Sequence, residues 1–259
     1  MKDSIKSSLV NIFGWPAPLF HGDTAVLDRW LWLRERLPRC DESPKLIDIG
    51  CGSGAFTIGA ALRGYQATGL SFDIRNQNIA AARARVCKAN GAKFEVQDIR
   101  HLDERIDLEG RFDVAVLCEV IEHVFNDAKL VRDAARCLKP NGRLLLTTPN
   151  FDLKPIDSSH EGPFPTVENG GHVRKGYTGK QLIQLCEQAG LVPGKVSFCT
   201  GLVSQKITYL HFKLAKVHPV LAWGVVNPFR IAPLILDPLV TRITDYPPYS
   251  ICIEASKPA

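Results

Sequence analysis

The chain has 259 residues, a formal net charge of +5, 45% hydrophobic residues and 23% charged residues. That balance predicts one α/β domain with an elaboration, and it excludes disorder and fibrous repeats. It also speaks against a dedicated duplex-DNA binder, which carries a denser basic stripe. Eight cysteines are scattered between Cys40 and Cys252 with no CxxC pair, so they read as reduced, buried hydrophobes and not as a disulfide framework.

Residues 1–20 hold Lys2 and Lys6, then Asn11, Gly14, Pro16 and Pro18. They offer neither an apolar h-region nor a cleavage site, so no signal peptide is predicted. No apolar run reaches the ~18–20 residues that span a bilayer, and a cytoplasmic location is expected. From Thr24, the spacing of Leu27, Trp30, Leu31, Arg34 and Leu37 predicts a helix that Pro38 stops, and residues 1–44 read as an N-terminal helical cap. Strands are predicted at 45–49, 66–72, 93–97, 112–117 and 143–148, and helices at 55–62, 76–89 and 127–138. This alternation indicates a parallel sheet covered on both faces. Residues 150–176, rich in glycine and proline, read as a long loop, a kind that is usually functional or mobile. A helix at 178–189, ended by Gly190, and strands at 196–199 and 249–255 complete a core of residues 45–200 and a C-terminal elaboration of 201–259.

Most of the functional information lies in Asp48-Ile49-Gly50-Cys51-Gly52-Ser53-Gly54. Glycines let the chain turn sharply off a strand end, and they let a ligand approach backbone N–H groups; the following helix offers its positive end to an anion. Gly50, Gly52 and Ala55 also satisfy the dinucleotide fingerprint, so the turn by itself does not choose a ligand. Asp48 suits an amine-bearing ligand. Asp98, ending the third strand, suits an adenine amino group. Residues 118–123, Cys-Glu-Val-Ile-Glu-His, form a polar cluster at the carboxyl edge of the sheet, where α/β ligands bind.

These segments, in this order, resemble the class I S-adenosylmethionine-dependent methyltransferases. The resemblance rests on residues 46–54, 69–73, 98, 112–124 and 138–150. It implies a Rossmann-like α/β fold with a mostly parallel seven-stranded sheet, helices on both faces and S-adenosylmethionine as cofactor. It further implies that Gly50 and Gly52, with Cys51 and Gly54 in the same turn, cradle the methionine end. Asp48 would sit near the amino group, directly or through water, Asp98 and Ile99 would hold the adenine, and Cys118 would belong to the same cofactor site. The position of the usual ribose-binding acid is Ser71, with Asp73 two residues on; either Asp73 reaches back to the ribose, or Ser71 bonds it while Asp73 caps the next helix.

Methyl transfer to a hydroxyl needs an aligned acceptor and a means of removing its proton. Glu119, Glu122 and His123 are the candidates, with His172 more distant. On a short helix, Glu119 shares a face with Glu122 or His123. The ExxEH spacing resembles the ubiquinone-biosynthesis O-methyltransferases and the methyltransferases of small-RNA 3′ ends. Three uses of His123 are therefore open: acid/base or orienting work, a divalent metal held by Glu119, Glu122 and His123, or a structural cap. His172, Arg174, Lys175 and Tyr177 read either as a lid or as a solvated basic loop. Residues 202–248 place Lys206, Lys213 and Lys216 beside an apolar, proline-punctuated stretch. This segment reads as a peripheral membrane contact, as a cover for a lipid-like acceptor, or as a homodimer interface or added helical layer.

The expected activity is methyl transfer to oxygen of a small-molecule, glycan or lipid-like acceptor, with nucleic acid not expected as partner. The competing expectations are an NAD-dependent oxidoreductase, a catalytically silent binding protein and, within the class, an RNA-end 2′-O-methyltransferase.

Overall fold

The computed structural model describes residues 24–155 and 162–259, together with Val10 and Gly14. The signal-peptide reading and about half of the expected N-terminal cap lie outside the described residues. The sheet is built from β1 (Lys45–Ile49), β2 (Gln66–Ser71), β3 (Ala92–Val96), β4 (Phe112–Cys118), β5 (Leu138–Pro149), β6 (Val192–Pro193), β7 (Ser197–Cys199) and β8 (Ser250–Ser256). Its order is β3-β2-β1-β4-β5-β8-β6, with β7 also pairing β8. β1 to β5 run parallel, and β8 runs antiparallel to β5.

The sheet thus has eight strands where seven were expected. The reason lies along β8: β6 pairs Val192 with Ser256, and β7 pairs Ser197 with Cys252. Both short strands occupy one lane beside β8, with a one-residue slip between them, as a bulged and interrupted edge strand does.

Helices α1 (Thr24–Arg36), α2 (Ala55–Ala61), α3 (Ile74–Val86), α4 (Asp127–Cys137) and α5 (Gly179–Gln188) flank the sheet. Strand side chains alternate between its faces, as the two-residue period requires. Ile47, Leu117, Leu144 and Leu146 pack on one face with Leu130 and Leu182 of α4 and α5; Leu46, Val116 and Leu145 pack on the other with Trp30 and Leu33 of α1. Both faces are buried, which is why the strands read as continuous apolar runs.

Three further helices fill the connection from β7 to β8: α6 (Leu202–Val217), α7 (Pro219–Val226) and α8 (Ala232–Thr244). α6 packs on α1, where the Ser204 hydroxyl donates to Asp28 at 2.5 Å and the Thr24 N–H donates to Thr208 Oγ1 at 3.2 Å. Among the described residues no helix is long and apolar enough to cross a membrane.

Candidate functional site

Strand order reverses between β1 and β4, so the turns leaving these two strands flank the crevice in which open α/β sheets bind ligands. After β1, Gly50, Gly52 and Gly54 have φ of +85°, +51° and +81°. A Cβ on Gly54 would stand 2.7 Å from the Phe94 ring and 2.8 Å from Ala80, and one on Gly50 would stand 2.6 Å from Val120, whereas one on Gly52 would meet nothing within 4 Å. The outer glycines therefore serve packing, and Gly52 presents open space.

The backbone narrows the expected cradle. The N–H groups of Gly50 and Cys51 both donate to the Leu70 carbonyl at 2.9 Å, so they tie the turn to β2. The Cys51 side chain is buried and its thiol pKa is driven up, foremost by burial. Asp48 lies beneath the turn with 1% exposure and accepts from Thr57 Oγ1 at 2.6 Å. Burial raises its pKa to about 6. In this arrangement Asp48 is not open to direct contact with a ligand.

At the end of β2, Ser71 is buried and Asp73 caps α3, accepting from the Arg75 N–H at 2.9 Å and pairing with the Arg75 guanidinium at 3.0 Å. The guanidinium and backbone of Arg75 hold the Asp73 pKa below its usual value. After β3, Asp98 caps a short 3₁₀ turn, Ile99–Glu104, and is paired with Arg100 at 2.5 Å. Arg100 also holds Glu168 of the long loop at 3.2 Å. Together Phe72, Asp98, Ile99, His123, Val124 and Gly170 line a cavity of about 260 Å³ at this edge.

Beyond β4 the structure corrects the expected helix face. Glu119 has φ +55°, and only Ile121–His123 forms a 3₁₀ turn. Glu119 therefore leaves the cluster; its carboxylate accepts from Thr147 Oγ1 at 3.0 Å and Ser250 Oγ at 3.1 Å, and stands 3.8 Å from Arg29 of α1. It ties β4, β5, β8 and α1 together. Cys118, at the end of β4, lies 3.1 Å from Thr147 Oγ1, and burial drives its thiol pKa up.

The group that does assemble is Glu122, His123 and His172, with one ligand atom from each lying within 4.8 Å of the others. Glu122 is fully buried, accepting from Thr148 Oγ1 at 3.0 Å, and burial followed by the charge of Glu119 drives its pKa up. Its other oxygen, Oε1, has no hydrogen-bond partner among the described residues and lies 3.7 Å from His123 Nε2. His123 and His172 meet edge to face at 4.7 Å.

The long loop brings His172 in. Val173 N–H donates to the Glu122 carbonyl at 2.8 Å, Arg174 holds Asp127 and the carbonyls of Val124 and Phe125, and the Tyr177 hydroxyl donates to Asp127 at 2.6 Å. Arg174 and Tyr177 are thus pins of the loop. The metal set expected as Glu119, Glu122 and His123 is replaced by Glu122, His123 and His172. Two imidazoles and a carboxylate suit a divalent cation, and the unpartnered Glu122 oxygen fits that use.

Residues 25–193 match the family described as methyltransferase domain. The chain is 30% identical over 188 residues to a ubiquinone biosynthesis O-methyltransferase of Pseudomonas aeruginosa (strain LESB58), covering 71% of this chain and 77% of that protein. In fold it is similar to the geranyl diphosphate C-methyltransferase from Streptomyces coelicolor A3(2), with a TM-score of 0.60, 16% identity, and 88% and 79% of the two chains covered. It is equally similar to the [4+2]-cyclase SpnF, with a TM-score of 0.60, 19% identity, and 90% and 82% covered. The last likeness shows that this fold alone does not set the reaction.

Proposed function

The chain belongs to the S-adenosylmethionine-dependent methyltransferases, and from that premise we propose that it methylates an oxygen of a small-molecule acceptor of quinone, glycan or lipid-like kind. The observation that carries the acceptor atom is the convergence of Glu122, His123 and His172 beside the cavity of Asp98 and Ile99. The bound sulfonium supplies an electrophilic methyl group and a neutral leaving group, so the protein's work is alignment, worth ~7–11 kcal/mol when good, and removal of one proton.

In this reading Gly52 admits the methionine end, and Asp48 acts on its amino group through water. Ser71 takes the ribose while Asp73 caps α3, Asp98 and Ile99 hold the adenine, and Cys118 forms the wall below the reacting atoms. His123 receives the acceptor's proton, His172 packs against its ring, and Glu122 holds the imidazole in place. A divalent cation at Glu122, His123 and His172 is a second reading, carried by the same cluster; when bound it would supply Lewis acidity that lowers the pKa of the acceptor hydroxyl. A cytoplasmic chain touching a membrane through residues 202–248 belongs to the same proposal, since a lipid-like acceptor resides there.

The test is transfer of labelled methyl from S-adenosylmethionine into native cell extract, with the product identified by mass spectrometry. A methyl ether or ester is expected, and a product labelled on carbon or nitrogen overturns the reading. His123→Ala should lower turnover by ~10²–10⁴ with donor affinity little changed. Unchanged turnover removes His123 from the chemistry.

A further inference from the structure

Helix α8 is built inside out. Its polar residues Asp237 and Thr241 face the protein: Asp237 accepts from the N–H groups of Val203 and Ser204 at 2.6 and 3.1 Å, and Thr241 Oγ1 accepts from that of Leu202 at 3.1 Å. These contacts cap the N-terminus of α6. The opposite side of α8 is apolar and faces outward, with Ile235 at 74%, Leu239 at 59% and Ile243 at 73% exposure. Their four-residue spacing places them in one row.

A second apolar row precedes α8. Residues 219–244 pass from α7 through a 3₁₀ segment, Asn227–Ile231, into α8, and the junction residues Val226, Asn227, Ile231 and Ala232 all keep right-handed helical angles. Leu221, Val225 and Phe229 repeat the four-residue spacing on the first half, exposed at 46%, 40% and 56%. An amphipathic helix in water turns this side inward. Single exposed apolar residues need no explanation, but two exposed apolar rows on adjoining helices, one of them on a helix that turns Asp237 and Thr241 inward, mark a contact surface.

Charge selects the occupant. Lys206, Lys213, Lys216 and Arg242 are exposed on α6 and α8, while the only acids between 202 and 248 are Asp237, engaged as a cap, and Asp245. A second copy meeting this face about a two-fold axis would set like charges against like. A bilayer with anionic headgroups takes both features: the apolar row enters the headgroup boundary, and the lysines meet the phosphates. No described helix is long and apolar enough to cross the membrane, so the contact is lateral. We propose that the outward apolar rows of α7 and α8, together with the exposed lysines of α6, dock this protein on an anionic lipid surface. This deepens the membrane contact proposed above for residues 202–248, and it stands whichever atom is methylated.

The experiment is co-sedimentation of the full chain with phosphatidylcholine vesicles, with and without about 30% phosphatidylglycerol. Binding to the anionic vesicles is expected, and weak or no binding to the neutral ones. The triple variant Ile235→Asn, Leu239→Asn, Ile243→Asn should weaken binding by about 100-fold or more while its melting temperature and S-adenosylmethionine affinity hold. Lys213→Ala with Lys216→Ala, which leaves the row untouched, should weaken binding by about 10–30-fold. No binding by the parent chain, or unchanged binding by either variant, overturns the proposal. So does a stable dimer that the triple variant dissociates, which would make the occupant a second copy. A large fall in the triple variant's melting temperature also overturns it, because the row would then be packed within the chain.

Discussion

At the scale of the residue, the three turn glycines separate by what stands opposite each. Gly52 faces open space, and Gly54 faces Phe94 and Ala80. Gly52→Val puts a β-branched side chain at φ +51°, a strain of about 1–2 kcal/mol, and fills the approach to the turn. The expected outcome is loss of S-adenosylmethionine binding by at least ~10-fold in calorimetry, with the chain still folded by circular dichroism. Gly54→Ala should do the reverse: its new methyl meets Phe94 and Ala80 at under 3 Å, so the melting temperature falls first. If Gly52→Val binds the donor normally, the turn is not where the methionine end lies.

At the scale of the element, Tyr177 is one of three pins, with Val173 and Arg174, that deliver His172 from the loop ahead of α5. The Tyr177 hydroxyl donates to Asp127 at 2.6 Å and lies 3.2 Å from the Ile121 carbonyl, and so links the loop to both the 3₁₀ turn and α4. Tyr177→Phe keeps the ring and removes both bonds, at a cost of about 1–2 kcal/mol. Turnover should fall while donor affinity is kept, because the donor pocket does not use this hydroxyl. Equal turnover in parent and variant would show that the Tyr177 hydroxyl is not needed to place the catalytic residues.

The elements also show what the sequence could reveal. Strands β1 to β5 and their helices were legible because both faces of the sheet are buried, which leaves long apolar runs between glycine turns. β6 was not legible, since two residues, one of them Pro193, have no period. Glu119 was misplaced because a left-handed glutamate leaves no trace in residue spacing. His172 could be flagged as a later histidine, but its meeting with His123 depends on the backbone contact of Val173 with Glu122, which no local pattern encodes. Residues 202–248 hid their helices behind prolines. Pro219, Pro228 and Pro233 each open a helical segment, where the missing N–H costs nothing, and only Pro238 stands inside one.

At the scale of the whole molecule, the β7–β8 helices are joined to the catalytic edge through α1. Ser204 of α6 bonds Asp28, and Arg29, the next residue, faces Glu119 at 3.8 Å. Asp28 is therefore the carboxyl at which the added layer meets the core. Its pKa is raised from 3.8 to about 6; burial is the main cause, helped by the nearby Asp237, and opposed by Ser204, Thr200 and Arg29. A carboxyl whose pKa is higher in the fold than in the unfolded chain favours folding while protonated. Its contribution is full below about 3.8 and is lost as the pH rises through about 6. Asp28→Asn keeps an acceptor for Ser204 and removes the ionisation. Relative to the parent, the variant should gain about 1–3 kcal/mol between pH 4 and pH 7. Denaturant titrations at both pH values check this, and a stability difference that stays constant across that window would show that Asp28 does not titrate within the fold.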